Sequence, residues 1–132
     1  ISQMRRLDEF VKYRHKLQER YDQLLAGLPI IIPHQSSKSY SALHLYPIQF
    51  LTNKLNKTRA SIFNELRSND IGVNVHYIPV HTQPFYEKMG FKMGDYPNSE
   101  EYYERAISIP LFSGMTFDQQ DTVVRIIKDI IL

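Results

Sequence analysis

The side chains best able to do chemistry are concentrated in one stretch, Val75-His76-Tyr77-Ile78-Pro79-Val80-His81-Thr82-Gln83-Pro84. Its two histidines lie five residues apart and flank a proline that ends an extended run. Imidazole nitrogens leaving a strand end beside a loop can donate to or accept from a ligand. The competing reading is that one ring satisfies a buried carbonyl while the other lies at the surface. A metal site would need a third and usually a fourth ligand; His44, Glu87 and Asp95 are the nearest candidates, and none has metal-ligand spacing. No metal is therefore expected.

Other groups carry less. His44 reads as a strand histidine on the parity of Tyr46, a structural position. The pairs Tyr102-Tyr103 and Phe85-Tyr86 could stack on a base, but with no basic patch beside them they read as packing. Arg59 and Arg105 are single cations that could meet a phosphate or form surface ion pairs. The sequence has no glycine-rich phosphate loop, no Ser/His/Asp order and no paired acids. None of its lysines reads as desolvated enough to form a Schiff base. These residues amount to part of a site rather than a complete one.

The elements that must position them can be read from periodicity. Apolar residues Met4, Leu7, Phe10/Val11, Leu17, Tyr21, Leu24/Leu25 and Leu28 recur three and four apart, predicting a helix of about 25 residues that Gly27-Leu28-Pro29 stops. At 1.5 Å per residue it would run to about 38 Å, the length of a helix that spans two bodies. The chain thus reads as the C-terminal piece of a longer protein, with Met4, Phe10 and Val11 expected to be exposed. Ile30–Ile32 is a short strand. Ala42–Phe50 is a second, with Pro47 arguing for an edge or a bulge. Thr58 caps a helix running to Asn69, and Val73–Ile78 is a further strand. Asn98 is expected to cap Ser99–Arg105, with Glu101 at the box position. Ala106–Ile109 is the last strand, and Thr116 with Gln119 opens a final helix through Ile131. Phe117, Val123/Val124, Ile126/Ile127 and Ile130/Ile131 form that helix's buried stripe. The order predicts an α+β fold, a small, largely antiparallel sheet with helices on one face.

Composition bounds the function. Among 132 residues, 42% are hydrophobic and 23% charged, which excludes a disordered tail or a collagen. There is no cysteine, so no disulfide, zinc-thiolate site or thiol nucleophile exists, in keeping with a reducing compartment. Sixteen basic against 14 acidic residues leave a formal charge of +2, too little to predict nucleic-acid binding. The longest apolar runs fall far short of the ~20 residues a membrane span needs.

The order of several motifs resembles a known family. Gln3-Met4-Arg5-Arg6-Leu7-Asp8-Glu9-Phe10 through Arg14 and Tyr21 is similar to the interdomain helix of the DegT/DnrJ/EryC1/StrS sugar aminotransferases. Ser41-Ala42-Leu43-His44-Leu45-Tyr46, Arg59 with Leu66, and Ile71-Gly72 continue the likeness, although Leu43 stands where related sequences often carry tryptophan. The runs Val75–Tyr86 and Ala106–Thr116 are its most specific parts. The resemblance covers essentially the whole chain as the family's C-terminal domain: residues 1–28 as interdomain helix and 29–132 as the small domain of a fold type I aminotransferase. It implies a pyridoxal 5'-phosphate-dependent enzyme, with glutamate as usual amino donor, whose cofactor lysine belongs to the large domain. Within the family the chain is most similar to enzymes that aminate the 4-keto group of a UDP-linked 4-keto-6-deoxy-N-acetylhexosamine, as in pseudaminic acid biosynthesis. The resemblance further implies that His76, Tyr77 and His81 contact the nucleotide sugar. It also implies a homodimer in the cytoplasm, with neither nucleic acid nor membrane as partner, and no activity or bound cofactor for this stretch alone. The rival reading is a freestanding α+β ligand-binding or regulatory module.

Overall fold

The structure, a computed structural model, describes residues 1–132. A 3-10 turn over Gln3–Arg6 leads into α1 (Leu7–Leu24), shorter than the predicted helix, and Gly27 turns the chain at φ +78 after it. A positive φ there costs glycine little and other residues more. β1 (Ile30–Ile31) pairs antiparallel with β2 (Tyr46–Phe50), which pairs antiparallel with β3 (Ala106–Ile109). The order β1-β2-β3 makes a three-stranded sheet. Between β2 and β3 lie α2 (Arg59–Ser68), the single turn α3 (Pro84–Glu87) and α4 (Pro97–Arg105); α5 (Phe117–Ile131) closes the chain. No helix is long and apolar enough to cross a membrane.

Register explains the core. Tyr46 lies opposite Ile109 and Ile48 opposite Ile107, so alternate residues of both strands face one side together. Phe50 joins them from β2, and Leu17, Tyr21 and Leu25 of α1, Ile62 and Leu66 of α2, and Val123, Val124 and Ile127 of α5 complete the cluster. Two helix starts follow the sequence: Thr58 accepts from the Ser61 N–H, and Thr116 and Gln119 form a reciprocal capping box.

Several expectations need correction. Ala42–Leu45 is not strand; β2 begins at Tyr46, and Leu43 sits at φ +49, a left-handed value off any ladder. Pro47 lies in the central strand rather than at an edge. It is tolerated because β1 reaches only to Gln49 and Phe50, so no strand needs its missing N–H on that side. Val73–Ile78 makes a single bridge, Asn74 to Ser108. Beyond it the Asn74 side chain accepts from the Val75 N–H at 2.8 Å, and no further backbone bond joins the segment to β3. α4 starts at Pro97 rather than under an Asn98 cap, since proline suits the first helical position. Glu101 pairs with Arg105 at 2.6 Å instead of closing a box. Phe117 is exposed and lies outside the buried stripe of α5.

The expectation for the first helix divides. Met4 is 69% exposed, while Val11 is buried at 8% and Phe10 is half-buried beneath the Arg6 guanidinium. Correcting the sequence reading, Val11 is covered within the monomer, because α1 lies against α5 and the loop before β2 folds onto it. His15 Nε2 lies 2.8 Å from the Ser41 carbonyl, and its ring stacks on Tyr40.

Candidate functional site

The segment after Asn74 leaves the sheet carrying His76, Tyr77 and His81, and each ring is held differently. His76 is half-buried, with Nδ1 2.9 Å from Ser108 Oγ in β3. β3 is buried along its whole length, and with Ile107 and Ile109 turned to the core, Ser108 faces the opposite way and meets the departing segment. Tyr77 is 72% exposed and sets its ring against the His76 edge, centroids 4.7 Å apart. The peptide between them is cis. Ile78, Val80 and Phe85, further along the segment, are also exposed.

His81 is buried, 7% exposed, in the 3-10 turn Val80–Thr82. Its Nε2 lies 2.7 Å from Glu100 Oε1, and its ring tilts against Tyr96 at 4.8 Å. Glu100 also accepts from the backbone N–H groups of Gly94, at 2.8 and 3.0 Å, and Tyr96, at 3.3 Å. Loss of water contact works against its charge, but the Gly94 amide, His81 and the Tyr96 amide outweigh that and hold the carboxyl below its usual range. A carboxyl lowered on folding stabilises above its unfolded value, about pH 4.3, and that contribution fades as pH falls through the folded value. Protection of the Gly94 amide from hydrogen exchange is therefore expected to be lost on acidification while the β2–β3 amides stay protected. A Gly94 amide equally protected at pH 7 and below about pH 4 would contradict this.

A pocket of about 340 Å³ opens beside His81, lined by Val80, Tyr86, Phe91, Tyr96 and Ser99. Apolar walls with a few convergent polar groups suit a small ligand. The sequence singled out both histidines and Tyr77, but not Glu100 or Ser108. A lone serine in Ala-Ile-Ser-Ile was the available signal for Ser108. Glu100 had none, being 19 residues from His81. The structure ties the two histidines to separate partners, and no three His, Asp or Glu side chains converge as a metal set. His44 is exposed. Arg59 places its guanidinium 4.8 Å over the Tyr103 ring, and Arg105 is engaged by Glu101. Arg105 is thus paired, whereas Arg59 has no carboxylate partner and its Nε is buried without an acceptor.

The family model described as DegT/DnrJ/EryC1/StrS aminotransferase matches residues 1–128. The chain belongs to this family. It is 36% identical over 134 residues to the spore coat polysaccharide biosynthesis protein SpsC of Bacillus subtilis, covering 99% of this chain and 34% of that protein. To the GDP-perosamine synthase of Vibrio cholerae it is 30% identical over 129 residues, covering 98% of this chain and 35% of that one. Among solved structures, Helicobacter pylori PseC, an aminotransferase involved in the biosynthesis of pseudoaminic acid, superposes with a TM-score of 0.87 at 21% identity, over 98% of this chain and 35% of that one. That likeness establishes the fold, that of a fold type I aminotransferase domain. The chain spans about a third of the length of the curated relatives it matches.

Aminotransferases of this family depend on pyridoxal phosphate. A Schiff-base lysine must be desolvated to be nucleophilic at neutral pH. Every lysine here is exposed or half-buried, and Lys57 is engaged by Glu65 at 2.6 Å.

Proposed function

We propose that this chain is the small-domain wall of a nucleotide-sugar aminotransferase, with residues 1–28 as interdomain helix and 29–132 as the small domain. In this reading His76, Tyr77 and His81 bind the sugar nucleotide, and the cofactor and its lysine come from the two-thirds of the family's length that this chain does not span. The substrate is a UDP-linked 4-keto-6-deoxy-N-acetylhexosamine and the amino donor glutamate. The enzyme works as a homodimer in the cytoplasm, and this chain by itself does not transaminate.

The observation that carries the reading is the pairing of two anchored imidazoles with one freely exposed tyrosine on a segment that has left its sheet. Polar rings held in place at a concave edge suit the hydroxyls of a hexose and the oxygens of a diphosphate, and binding groups need such support to be selective. Family membership supplies the reaction class. The test replaces His76 and His81 singly by alanine in the full-length enzyme and measures amination of the UDP-linked keto sugar with glutamate. The KM for the sugar nucleotide is expected to rise about tenfold, the size of one or two lost hydrogen bonds, with kcat within about threefold. An unchanged KM in both variants would remove these residues from the binding site. A GDP-linked keto sugar turned over better than the UDP-linked one would reassign the nucleotide and leave the reaction class standing.

A further inference from the structure

Glu100 does more than pair with His81. Its carboxylate meets three donors: His81 Nε2 at 2.7 Å, the Gly94 N–H at 2.8 Å and the Tyr96 N–H at 3.3 Å. An ionised carboxylate can only accept, so Nε2 must carry the proton in each of its states. With the imidazole neutral, the lone pair then sits on Nδ1, and Nδ1 has no partner within the protein. His81 is also caged against rotation, with the Tyr96 ring beside it and 7% of its surface exposed. Both the plane of the ring and its hydrogen-bonding polarity are fixed from one side.

We propose that Glu100 is a positioning residue that fixes the tautomer of His81, so that Nδ1 presents an acceptor to a hydroxyl group of the bound sugar nucleotide. This rests on the reading that His81 faces that ligand. The substrate feature selected is a hydroxyl able to donate, and a ligand offering only an acceptor at that point is disfavoured. Glu100 also fastens the Gly94–Tyr96 turn, and the test must separate the two roles.

Two variants separate them. One carboxylate oxygen, Oε1, meets His81 Nε2 and both backbone N–H groups, so Glu100→Met removes the acceptor of the turn and puts nothing in its place, while Glu100→Lys puts a donor there. Beside that donor Nε2 must accept, the proton moves to Nδ1 and the polarity offered to the ligand reverses; in Glu100→Met nothing forces the proton off Nε2. In full-length enzyme labelled with 15N-histidine, at about pH 8.5, where an unperturbed imidazole is neutral, Glu100→Lys is expected to show the protonated-Nδ1 pattern and Glu100→Met to keep the protonated-Nε2 one. The KM for the UDP-linked 4-keto-6-deoxy-N-acetylhexosamine should be about tenfold higher in Glu100→Lys than in Glu100→Met, with kcat little changed. Glu100→Gln, whose amide oxygen can take the place of Oε1, is expected to retain the parent tautomer and hold KM within about threefold. It carries the test alone if the other two do not fold: parent tautomer with near-parent KM supports the proposal, and a changed tautomer with unchanged KM overturns it. An unreversed tautomer in Glu100→Lys, or a KM there no higher than in Glu100→Met, likewise overturns it. If His81→Ala itself leaves KM unchanged, the assignment of His81 to the ligand fails. If His81→Ala raises KM and Glu100→Lys raises it no further than Glu100→Met, only the positioning role fails.

Discussion

Phe50→Ala is expected to destabilise the chain by about 3–5 kcal/mol, read as a fall in the urea midpoint at constant m-value. Phe50 ends the central strand, is fully buried and lies opposite Ile30 across the β1–β2 ladder. The loss combines the removed apolar surface with the cavity left in the core cluster, and the β1–β2 pairing at Ile30 limits how far the backbone can close on it. Set against total stabilities of about 5–15 kcal/mol, such a loss leaves a substantial unfolded population at 37 °C. Phe50→Leu keeps most of the volume and should cost about 1–2 kcal/mol. A Phe50→Ala loss under about 1 kcal/mol would mean that the core can collapse around the gap, contrary to the packing described. The consequence reaches the site, because β2 holds β3 in register and β3 carries Ser108, the anchor of His76.

The fold could be read from sequence where one local signal decided the conformation. Thr58, the Thr116–Gln119 box and Gly27 each act within a few residues, and each stands where expected. Ala106–Ile109 was bounded correctly because Arg105 ends a helical pattern and Pro110 ends the strand. Val73–Ile78 failed for the opposite reason. Its alternation is real at Val73, which is buried, but a strand needs a partner along its length, and the two backbone bonds between Asn74 and Ser108 are all that join it to β3. The Ala42–Leu45 error has the same root: alternation set the side-chain pattern, while the ladder ends where β3 ends, with Tyr46 opposite Ile109.

The site was visible in part. His76, Tyr77 and His81 stand out because two imidazoles around Ile-Pro-Val are rare in a packed strand, but what holds them could not be seen. Reading Asn98 as the cap points to Glu101, three residues on, as the capping acid. With Pro97 as the first helical residue the cap is Tyr96, two positions earlier, and Glu100, four residues on, is the acid that reaches the Tyr96 N–H. The same carboxylate partners a buried histidine 19 positions away.

The second large effect is expected at Asp22, the polar joint between α1 and the sheet. Its carboxylate accepts from the Tyr46 hydroxyl through Oδ1 and from the Gln18 amide through Oδ2. Tyr46 is fully buried and Gln18 nearly so, which leaves neither donor a ready route to water. Burial, then the hydrogen bond and charge of Asp22, push the Tyr46 hydroxyl far above its usual range, so it remains a donor throughout ordinary pH. Asp22→Ala strands both donors, at about 1–3 kcal/mol each, and a total loss of about 2–4 kcal/mol is expected in urea unfolding. Tyr46→Phe removes the hydroxyl together with its need for a partner and should cost about 1–2 kcal/mol. In the Tyr46→Phe background one of the two stranded donors no longer exists, so Asp22→Ala must cost less there than in the parent. The double-mutant cycle is thus expected to be sub-additive by about 1–2 kcal/mol. Strict additivity would show that the contact contributes nothing, leaving the Tyr21–Tyr46 ring stack, 5.1 Å between centroids, and apolar packing to hold α1 to β2.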